Sequence, residues 1–249
     1  MPTPLAERFA ATLIEAHRTN SRAPASAAAE FSASATGADV TDVQALVADE
    51  LGPVTAWKTA PGADKPMIAP ILGRRVKPSG ATFGTDEIGA CGIELEIAFR
   101  LDAPLPPLDA PDFAARLREV VTPIVTIEVV DGRVEDFVDA PAPAKLADNQ
   151  NNGGLVLGGT GTIVGTSPAV RLAFDGKVVV EGPATPPGGD AWAALERFVL
   201  HVGSLCGGFQ VGQVLTTGSL TGMPFIEPGT RVEGEVEGLG SVTLDYAAR

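Results

Sequence analysis

Short runs of β-branched and other apolar residues, separated by Gly, Pro and Asp, recur from about residue 53 to the end of the chain. Runs of this length and composition are typical of β-strands. They predict strands at residues 93–101, 124–130, 155–164, 169–174, 177–180, 213–217, 231–236 and 241–246. Asp175 and Gly176 separate two of these runs and readily take the positive φ values of a two-residue hairpin turn.

Helical periodicity predicts fewer elements. Residues 1–20 carry apolar side chains three and four positions apart and predict an amphipathic helix. A second helix is predicted from Thr41, because Thr41 and Gln44 have the spacing of a capping box. Two further helices are predicted among the strands, one after Pro111 and one from near Asp190.

The Ala- and Ser-rich stretch 23–35 fits either a linker or a packed segment. The remaining elements predict an α+β fold, in which a β-rich mixed sheet or barrel is covered by helices. We expect a small helical and mixed N-terminal region over residues 1–75 and a β-rich catalytic core over residues 76–249.

Composition excludes several classes of protein. The net charge of −13 disfavours binding to a phosphate backbone, which needs clustered Lys and Arg. Two cysteines cannot form a disulfide framework, and charges interrupt the first 20 residues where a signal peptide would be apolar. No apolar run approaches the roughly 20 residues that cross a bilayer. We therefore expect a soluble cytoplasmic protein that binds neither nucleic acid nor membrane.

Two acids interrupt the apolar strand predicted at residues 93–101. Side chains alternate along a strand, so Glu94 and Glu96 share one face, roughly 6.5 Å apart. A hard cation such as Mg²⁺ or Mn²⁺ would relieve the repulsion between two such carboxylates. The alternative is an ordinary half-exposed strand with both glutamates in water.

The predicted strand at residues 124–130 also carries a single acid, Glu128, among apolar residues. Three carboxylates would neutralise a divalent cation and leave coordination positions open for a chelating ligand. Taken alone, Glu128 fits a solvated strand position equally well. The two histidines, His17 and His201, have no partners at metal-ligand spacing, so we expect structural roles for them.

Several local patterns, in this order, resemble the 2-keto-4-pentenoate hydratase and 4-oxalocrotonate decarboxylase group of the fumarylacetoacetate hydrolase superfamily. The resemblance spans most of the chain. Its motifs are Trp57-Lys58, the segments 94–99 and 127–133, Ala147-Asp148-Asn149 with residues 156–159, the segment 214–220, and a last block over residues 228–242.

The resemblance implies a core of the fumarylacetoacetate hydrolase C-terminal type and an active site built from residues in and beside these motifs. It implies that Glu94, Glu96 and Glu128 bind Mg²⁺ or Mn²⁺, and that Lys58 is catalytic. It also implies substrate binding by Thr217, Ser219, Asp148 and Asn149.

The implied activity is that of a metal-dependent lyase acting on a small 2-oxo or 2-hydroxy-dienoic acid, as in the catabolism of aromatic compounds by meta-cleavage. A hydratase of 2-keto-4-pentenoate is the first interpretation. The alternatives are a decarboxylase of 2-oxo-3-hexenedioate (4-oxalocrotonate), or a catalytically weak binding or assembly homologue. The resemblance also implies a homo-oligomer.

Overall fold

The computed structural model describes residues 1–248. In this part of the chain the helices are α1 (Pro4–Thr19), α2 (Ala25–Ser32), α3 (Gly37–Leu51), α4 (Phe113–Glu119), α5 (Ala142–Ala147) and α6 (Ala191–Val202). The strands are β1 (Val54–Ala60), β2 (Met67–Leu72), β3 (Val76–Pro78), β4 (Ala81–Gly84), β5 (Gly92–Leu101), β6 (Val121–Val130), β7 (Asn152–Thr160), β8 (Ala169–Phe174), β9 (Lys177–Pro183), β10 (Val214–Ser219), β11 (Arg231–Val236) and β12 (Gly240–Ala247).

The strands form two sheets. A seven-stranded sheet has the order β2-β1-β10-β5-β6-β7-β3, and a five-stranded sheet has the order β4-β12-β11-β8-β9. Both are mixed, because β1 runs parallel to β10, β3 to β7 and β4 to β12 while the other pairs are antiparallel. The larger sheet curls into a half-barrel, and the predicted α+β class is confirmed.

The larger sheet is buried on both faces. Alternate residues of β5, such as Leu95 and Ile97, enter the main apolar core together with side chains of the smaller sheet and of α6. The opposite face carries Ala98, which packs with Ile124 of β6 and Val214 of β10 in a smaller cluster. Polar side chains near the middle of this face, such as Glu96 on β5 and Glu128 on β6, are therefore buried.

The N-terminal helices form a separate apolar cluster with α5. Phe9 of α1 stacks on Phe31 of α2 with ring centroids 4.3 Å apart, and Val43 and Val47 of α3 are fully buried beside them. The Ala- and Ser-rich stretch, for which the sequence left two possibilities, is thus partly a packed helix, α2. None of the helices in residues 1–248 has both the length and the apolar composition to cross a membrane.

The predicted start of the second long helix is wrong. Helix α3 begins at Gly37, and its capping box is formed by Thr36 and Asp39, not by Thr41 and Gln44. Thr41 lies inside the helix and donates its hydroxyl to the carbonyl of Ala38. The capping-box rule expects Glu or Gln at the third helical position, and the shorter Asp39 performs the same function here.

Strands β1 to β4 were not predicted individually. β1 and β2 lie in the seven-stranded sheet beside β10, although they precede residue 75. The division of the chain at residue 75 stays a prediction.

Candidate active site

Three glutamates converge on the face of the larger sheet that lies opposite the main apolar core. Glu94 and Glu96 lie two residues apart on β5, and Glu94 is the direct cross-strand partner of Glu128 on β6. One carboxylate oxygen from each residue lies within 4.8 Å of those of the other two. Glu96 and Glu128 are buried and Glu94 is half-buried, so the alternative of a half-exposed strand with both acids in water does not hold for this site.

One fully buried carboxylate oxygen of the three glutamates has no hydrogen-bond partner among the described residues. Glu128 Oε1 accepts from Lys58 Nζ at 2.5 Å and from Asn152 Nδ2 at 2.9 Å. Glu128 Oε2 is buried and has no hydrogen-bond partner among the described residues. Glu96 Oε2 accepts from the backbone N–H of Gly218 at 2.7 Å. A buried carboxylate oxygen without a donor is costly and points to a ligand that the protein itself does not supply.

Burial and mutual repulsion disfavour the charged forms of these acids. Burial, followed by the charge of Glu128, raises the pKa of Glu94 to about 7. Burial, followed by the charges of Glu128 and Glu94, raises the pKa of Glu96 well above its usual value. Burial alone would lower the pKa of Lys58, but the negative charges of Glu128 and Glu94 outweigh it, so the pKa of Lys58 is raised. Lys58 is therefore a cation at neutral pH.

The donor set fits a hard divalent cation. It offers carboxylate oxygens only, which Mg²⁺ and Mn²⁺ prefer, and three carboxylates exceed the single positive charge of Lys58. The unpartnered Glu128 Oε2 gains a partner when a cation binds between the three residues.

Glu94 and Glu96 line a cleft of about 240 Å³, whereas Glu128 is fully buried beside them and is not part of its wall. Lys58, Glu94, Glu96 and Ser219, which the sequence singled out, contribute to its wall. The cleft is also lined by residues that sequence reasoning did not assign to the site: Thr59, Ala60, Val130, Gln150, Asn151, Pro187, Gly218 and Met223. We refer to this site as the glutamate cleft.

A left-handed turn closes one side of the glutamate cleft. Asn149, Gln150 and Asn151 have φ values of 50°, 53° and 59°, a conformation that costs L-residues energy. The carbonyl oxygen of Gln150 accepts from Lys58 Nζ at 3.1 Å. The turn thus places a backbone hydrogen-bond acceptor next to the ammonium group of Lys58. Its only sequence signal is the pair of asparagines, since Asn tolerates positive φ.

Of the four residues to which the resemblance assigns substrate binding, only Ser219 lies on the wall of the cleft. The Thr217 hydroxyl points away from the carboxylates and donates to the carbonyl of Ile97 at 2.8 Å. Ser219 does line the cleft, and its hydroxyl donates to the carbonyl of Gly222 at 2.6 Å.

Asp148 and Asn149 are buried behind the left-handed turn. Asp148 Oδ2 accepts from the backbone N–H of Arg133 at 2.5 Å, and burial raises the pKa of Asp148 to about 7. Asn149 Oδ1 is buried without a hydrogen-bond partner. Both residues are thus placed to support the turn, while Gln150 and Asn151 reach the cleft.

The chain is similar in sequence to known hydratases and decarboxylases. No family model matches the chain. It is 27% identical over 200 residues to 2-keto-4-pentenoate hydratase 2 of Dechloromonas aromatica (strain RCB), which covers 75% of this chain and 72% of the relative. It is 30% identical over 159 residues to a 4-oxalocrotonate decarboxylase of Pseudomonas sp, which covers 61% of this chain and 59% of the relative.

The fold is that of a solved relative over nearly the whole chain. The structure of 4-oxalocrotonate decarboxylase from Pseudomonas putida G7, complexed with magnesium and adipate, superposes with a TM-score of 0.82 at 20% identity. The match covers 99% of this chain and all of that one. The resemblance predicted from the sequence is confirmed: the chain is similar in sequence to 2-keto-4-pentenoate hydratases and to a 4-oxalocrotonate decarboxylase, and it has the fold of a solved 4-oxalocrotonate decarboxylase.

Proposed function

We propose that this protein is a divalent-metal-dependent lyase acting on a small 2-oxo or 2-hydroxy-dienoic acid. The observation that carries the proposal is the convergence of the carboxylates of Glu94, Glu96 and Glu128 next to one cleft, where a buried oxygen of Glu128 lacks a hydrogen-bond partner among the described residues. The hydratase and decarboxylase names of its sequence relatives support the lyase class.

Mg²⁺ or Mn²⁺ is the proposed cofactor, held by Glu94, Glu96 and Glu128. The magnesium in the solved decarboxylase complex supports this assignment. When bound, the cation supplies a Lewis acid that stabilises negative charge on the oxygen of a chelated 2-oxo acid.

Lys58 is the proposed catalytic residue. Its ammonium group lies on the wall of the glutamate cleft and is held in place by Glu128 Oε1 and by the carbonyl of Gln150. In the metal-free protein the three carboxylates keep Lys58 a cation, and a divalent cation bound between them would neutralise those charges while burial lowers the pKa of Lys58, so Lys58 is proposed as a general acid/base or a positive charge near the substrate. It would therefore stabilise charge on the substrate's carboxylate or oxo group and deliver the proton that ketonises a dienol.

The polar groups of β10 are the proposed substrate-positioning groups. The backbone N–H of Gly218 fixes Glu96, and Ser219 lines the cleft next to it. Thr217, Asp148 and Asn149 contribute indirectly in this proposal, since they hold the strand and the turn from which the cleft is built.

Hydration of 2-keto-4-pentenoate and decarboxylation of 2-oxo-3-hexenedioate are the two candidate reactions. Both place negative charge on the same oxygen of the substrate, so one site serves either reaction. The 200-residue match to a hydratase favours hydration, whereas the solved complex favours decarboxylation. The third candidate is a binding or assembly homologue without turnover. Assembly into a homo-oligomer stays a prediction.

Turnover distinguishes these candidates. Purified protein is mixed with 2-hydroxypenta-2,4-dienoate or with 2-oxohex-3-enedioate, with Mg²⁺, Mn²⁺ or a chelator, and ultraviolet absorbance is followed. We expect metal-dependent loss of absorbance with one or both substrates, and none in the chelator. Unchanged absorbance for both acids with either metal would contradict the lyase proposal and favour a binding homologue.

A further inference from the structure

A second, smaller cavity adjoins the glutamate cleft. Thr59, Ala60 and Pro187 belong to the walls of both cavities. Beyond these shared residues the second cavity is lined by Pro61, Pro66, Gly188, Asp190, Ala194, Arg197 and Thr217. We call it the Arg197 recess.

Arg197 is the only cation on the wall of the recess. It projects from α6, is exposed, and has no ion-pair partner among residues 1–248. The one acid on the wall, Asp190, is the N-cap of α6, and its Oδ1 accepts from the N–H of Trp192 at 3.0 Å. In a chain with a net charge of −13, an unpaired guanidinium beside an acidic cleft is an unusual local feature.

The rest of the recess is mostly apolar, with three prolines and two alanines on its wall. It has room for one small group: about 20 Å³ is open to the centres of water-sized groups. A carboxylate at the end of a short carbon chain combines the two properties that this wall offers, an apolar path and one terminal positive charge. Guanidinium groups bind carboxylates with paired, charge-assisted hydrogen bonds.

We propose that the Arg197 recess binds the distal carboxylate of a dicarboxylic substrate whose 2-oxo acid end lies in the glutamate cleft. The inference rests on the proposed function and names its substrate class. A six-carbon 2-oxo dioic acid crosses the shared wall at Ala60 and Pro187 and ends at Arg197. A five-carbon monocarboxylic acid such as 2-keto-4-pentenoate carries no group for the recess to bind.

Arg197 therefore acts as a specificity residue. When a monocarboxylic acid binds, the Arg197 guanidinium stays in water, as in the free protein. Arg197 therefore changes the affinity for such an acid little. A dicarboxylic acid gains an ion pair that is partly shielded by prolines. Such an ion pair is stronger than a fully exposed one and weaker than a buried one. We therefore expect the dicarboxylic acid to bind about tenfold more tightly than the monocarboxylic acid.

Binding of two saturated analogues tests the proposal without requiring turnover. 2-Oxoadipate and 2-oxohexanoate share the chelating end and the chain length, and differ only in the distal carboxylate. Their dissociation constants are measured by calorimetry in the presence of Mg²⁺ for the wild type, Arg197→Gln and Arg116→Gln. Arg116 is the matched control because it is also exposed and lies on a different helix, α4, near Asp112.

We expect the wild type and Arg116→Gln to bind 2-oxoadipate about tenfold more tightly than 2-oxohexanoate, and Arg197→Gln to bring this ratio close to one. A wild-type ratio near one, or an unchanged ratio in Arg197→Gln, would overturn the inference. Failure of the proposed function looks different: neither analogue would then bind in a metal-dependent manner and neither unsaturated acid would be turned over.

Discussion

The two oxygens of the Glu128 carboxylate differ in their hydrogen bonds. Oε1 accepts from Lys58 and Asn152, whereas Oε2 is buried and accepts from no described residue. A purely structural ion pair would satisfy both oxygens, because a buried charge without donors costs several kcal/mol. The arrangement is explained when the second oxygen is a cation ligand.

Replacing Glu96 by a neutral amide should weaken metal binding and stabilise the metal-free protein. In Glu96→Gln the side-chain oxygen can still accept from Gly218, and the neutral amide removes the unfavourable burial of an ionisable carboxyl group next to Glu94 and Glu128. We expect the metal-free protein to gain about 1 kcal/mol in its free energy of unfolding. Mn²⁺ affinity should fall about a hundredfold, measured by calorimetry.

The control for this variant is Glu235→Gln, since Glu235 lies on β11 with its side chain 57% exposed. Glu235→Gln should change neither the free energy of unfolding nor the Mn²⁺ affinity measurably. Equal Mn²⁺ affinity in Glu96→Gln and in the wild type would remove Glu96 from the ligand set.

Replacing Lys58 should affect both stability and turnover. Lys58→Met leaves Glu128 buried without its cation partner, which should lower the free energy of unfolding of the metal-free protein by about 3 kcal/mol. Saturating Mn²⁺ should restore part of that loss, and kcat should fall at least about a hundredfold. Lys77→Met is the comparison, because Lys77 pairs with Glu87 at a partly exposed position and should cost less than about 1 kcal/mol. Full kcat in Lys58→Met would exclude Lys58 as the catalytic residue.

At the scale of elements, β10 determines where Glu96 is held. The pairing of β10 with β5 shifts register between Thr216 and Ser219, and Gly218 occupies this irregularity with φ of 100°. A Cβ at Gly218 would lie 2.9 Å from Pro187 Cγ. The glycine is therefore required both by its backbone conformation and by the proline that separates the two cavities.

Gly218→Ala should lower stability and metal affinity together. We expect a loss of about 2 kcal/mol, from the left-handed backbone and from the contact with Pro187, and about a tenfold weaker Mn²⁺ affinity because the N–H donor to Glu96 shifts. Gly229→Ala isolates the backbone cost, since Gly229 has nearly the same φ, 99°, and no atom near its would-be Cβ. It should cost about 1 kcal/mol and leave Mn²⁺ affinity unchanged. Indistinguishable effects of the two variants would remove the special role of Gly218.

The sequence predicted β5, β6, β8 and β11 to within a few residues, because each carries regularly placed apolar residues, alternating with polar ones in β11, and is bounded by turn residues. β2 was not predicted as a strand because it contains Pro70, which is unusual within sheets. β3 and β4 have three and four residues, too short for any periodicity to show. These short strands depend on pairing with distant partners.

The candidate site was predictable to a similar extent. Acids inside apolar strands drew attention to Glu94, Glu96 and Glu128, but the local pattern fitted solvated strand positions equally well, and the resemblance assigned them as metal ligands. Gln150 and Asn152 were missed because their roles depend on Lys58 and Glu128, which are 92 and 24 positions away in the chain. Arg197 has no local signal either, since a lysine or arginine on a helix is most often a solvated residue.

At the scale of the whole molecule, a buried network joins the N-terminal helices to the sheet that carries the site. Asp131, directly after β6, pairs with Arg22 at 2.6 Å and with Arg133 at 2.7 Å. It also accepts from the backbone N–H groups of Gly89 and Ala90. The N-terminal region thus holds the end of the strand that bears Glu128.

His17 at this junction should make the stability of the fold depend on pH. Burial first, and then the charges of Arg133, Arg75 and Arg74, lower the pKa of His17 well below 6.5. The unfolded chain therefore binds a proton near pH 6.5 that the native protein does not, so stability falls as pH falls through and below 6.5.

Between pH 7.5 and pH 5.5, the wild type should lose about 1.4 kcal/mol more of its free energy of unfolding than His17→Leu loses. Urea denaturation at several pH values measures this difference. His201→Gln, which changes an exposed histidine on α6, should retain the wild-type pH dependence. An identical pH dependence in His17→Leu would show that His17 is protonated in the native protein.

Anomalous diffraction from crystals soaked in Mn²⁺ tests the central claim most directly, because it locates the ion and not only its effect. One Mn²⁺ peak per chain should lie between the carboxylates of Glu94, Glu96 and Glu128, within bonding distance of Glu128 Oε2, and it should be absent in Glu96→Gln. A glutamate cleft without a peak in crystals that bind Mn²⁺ elsewhere, or a peak that persists unchanged in Glu96→Gln, would contradict the account.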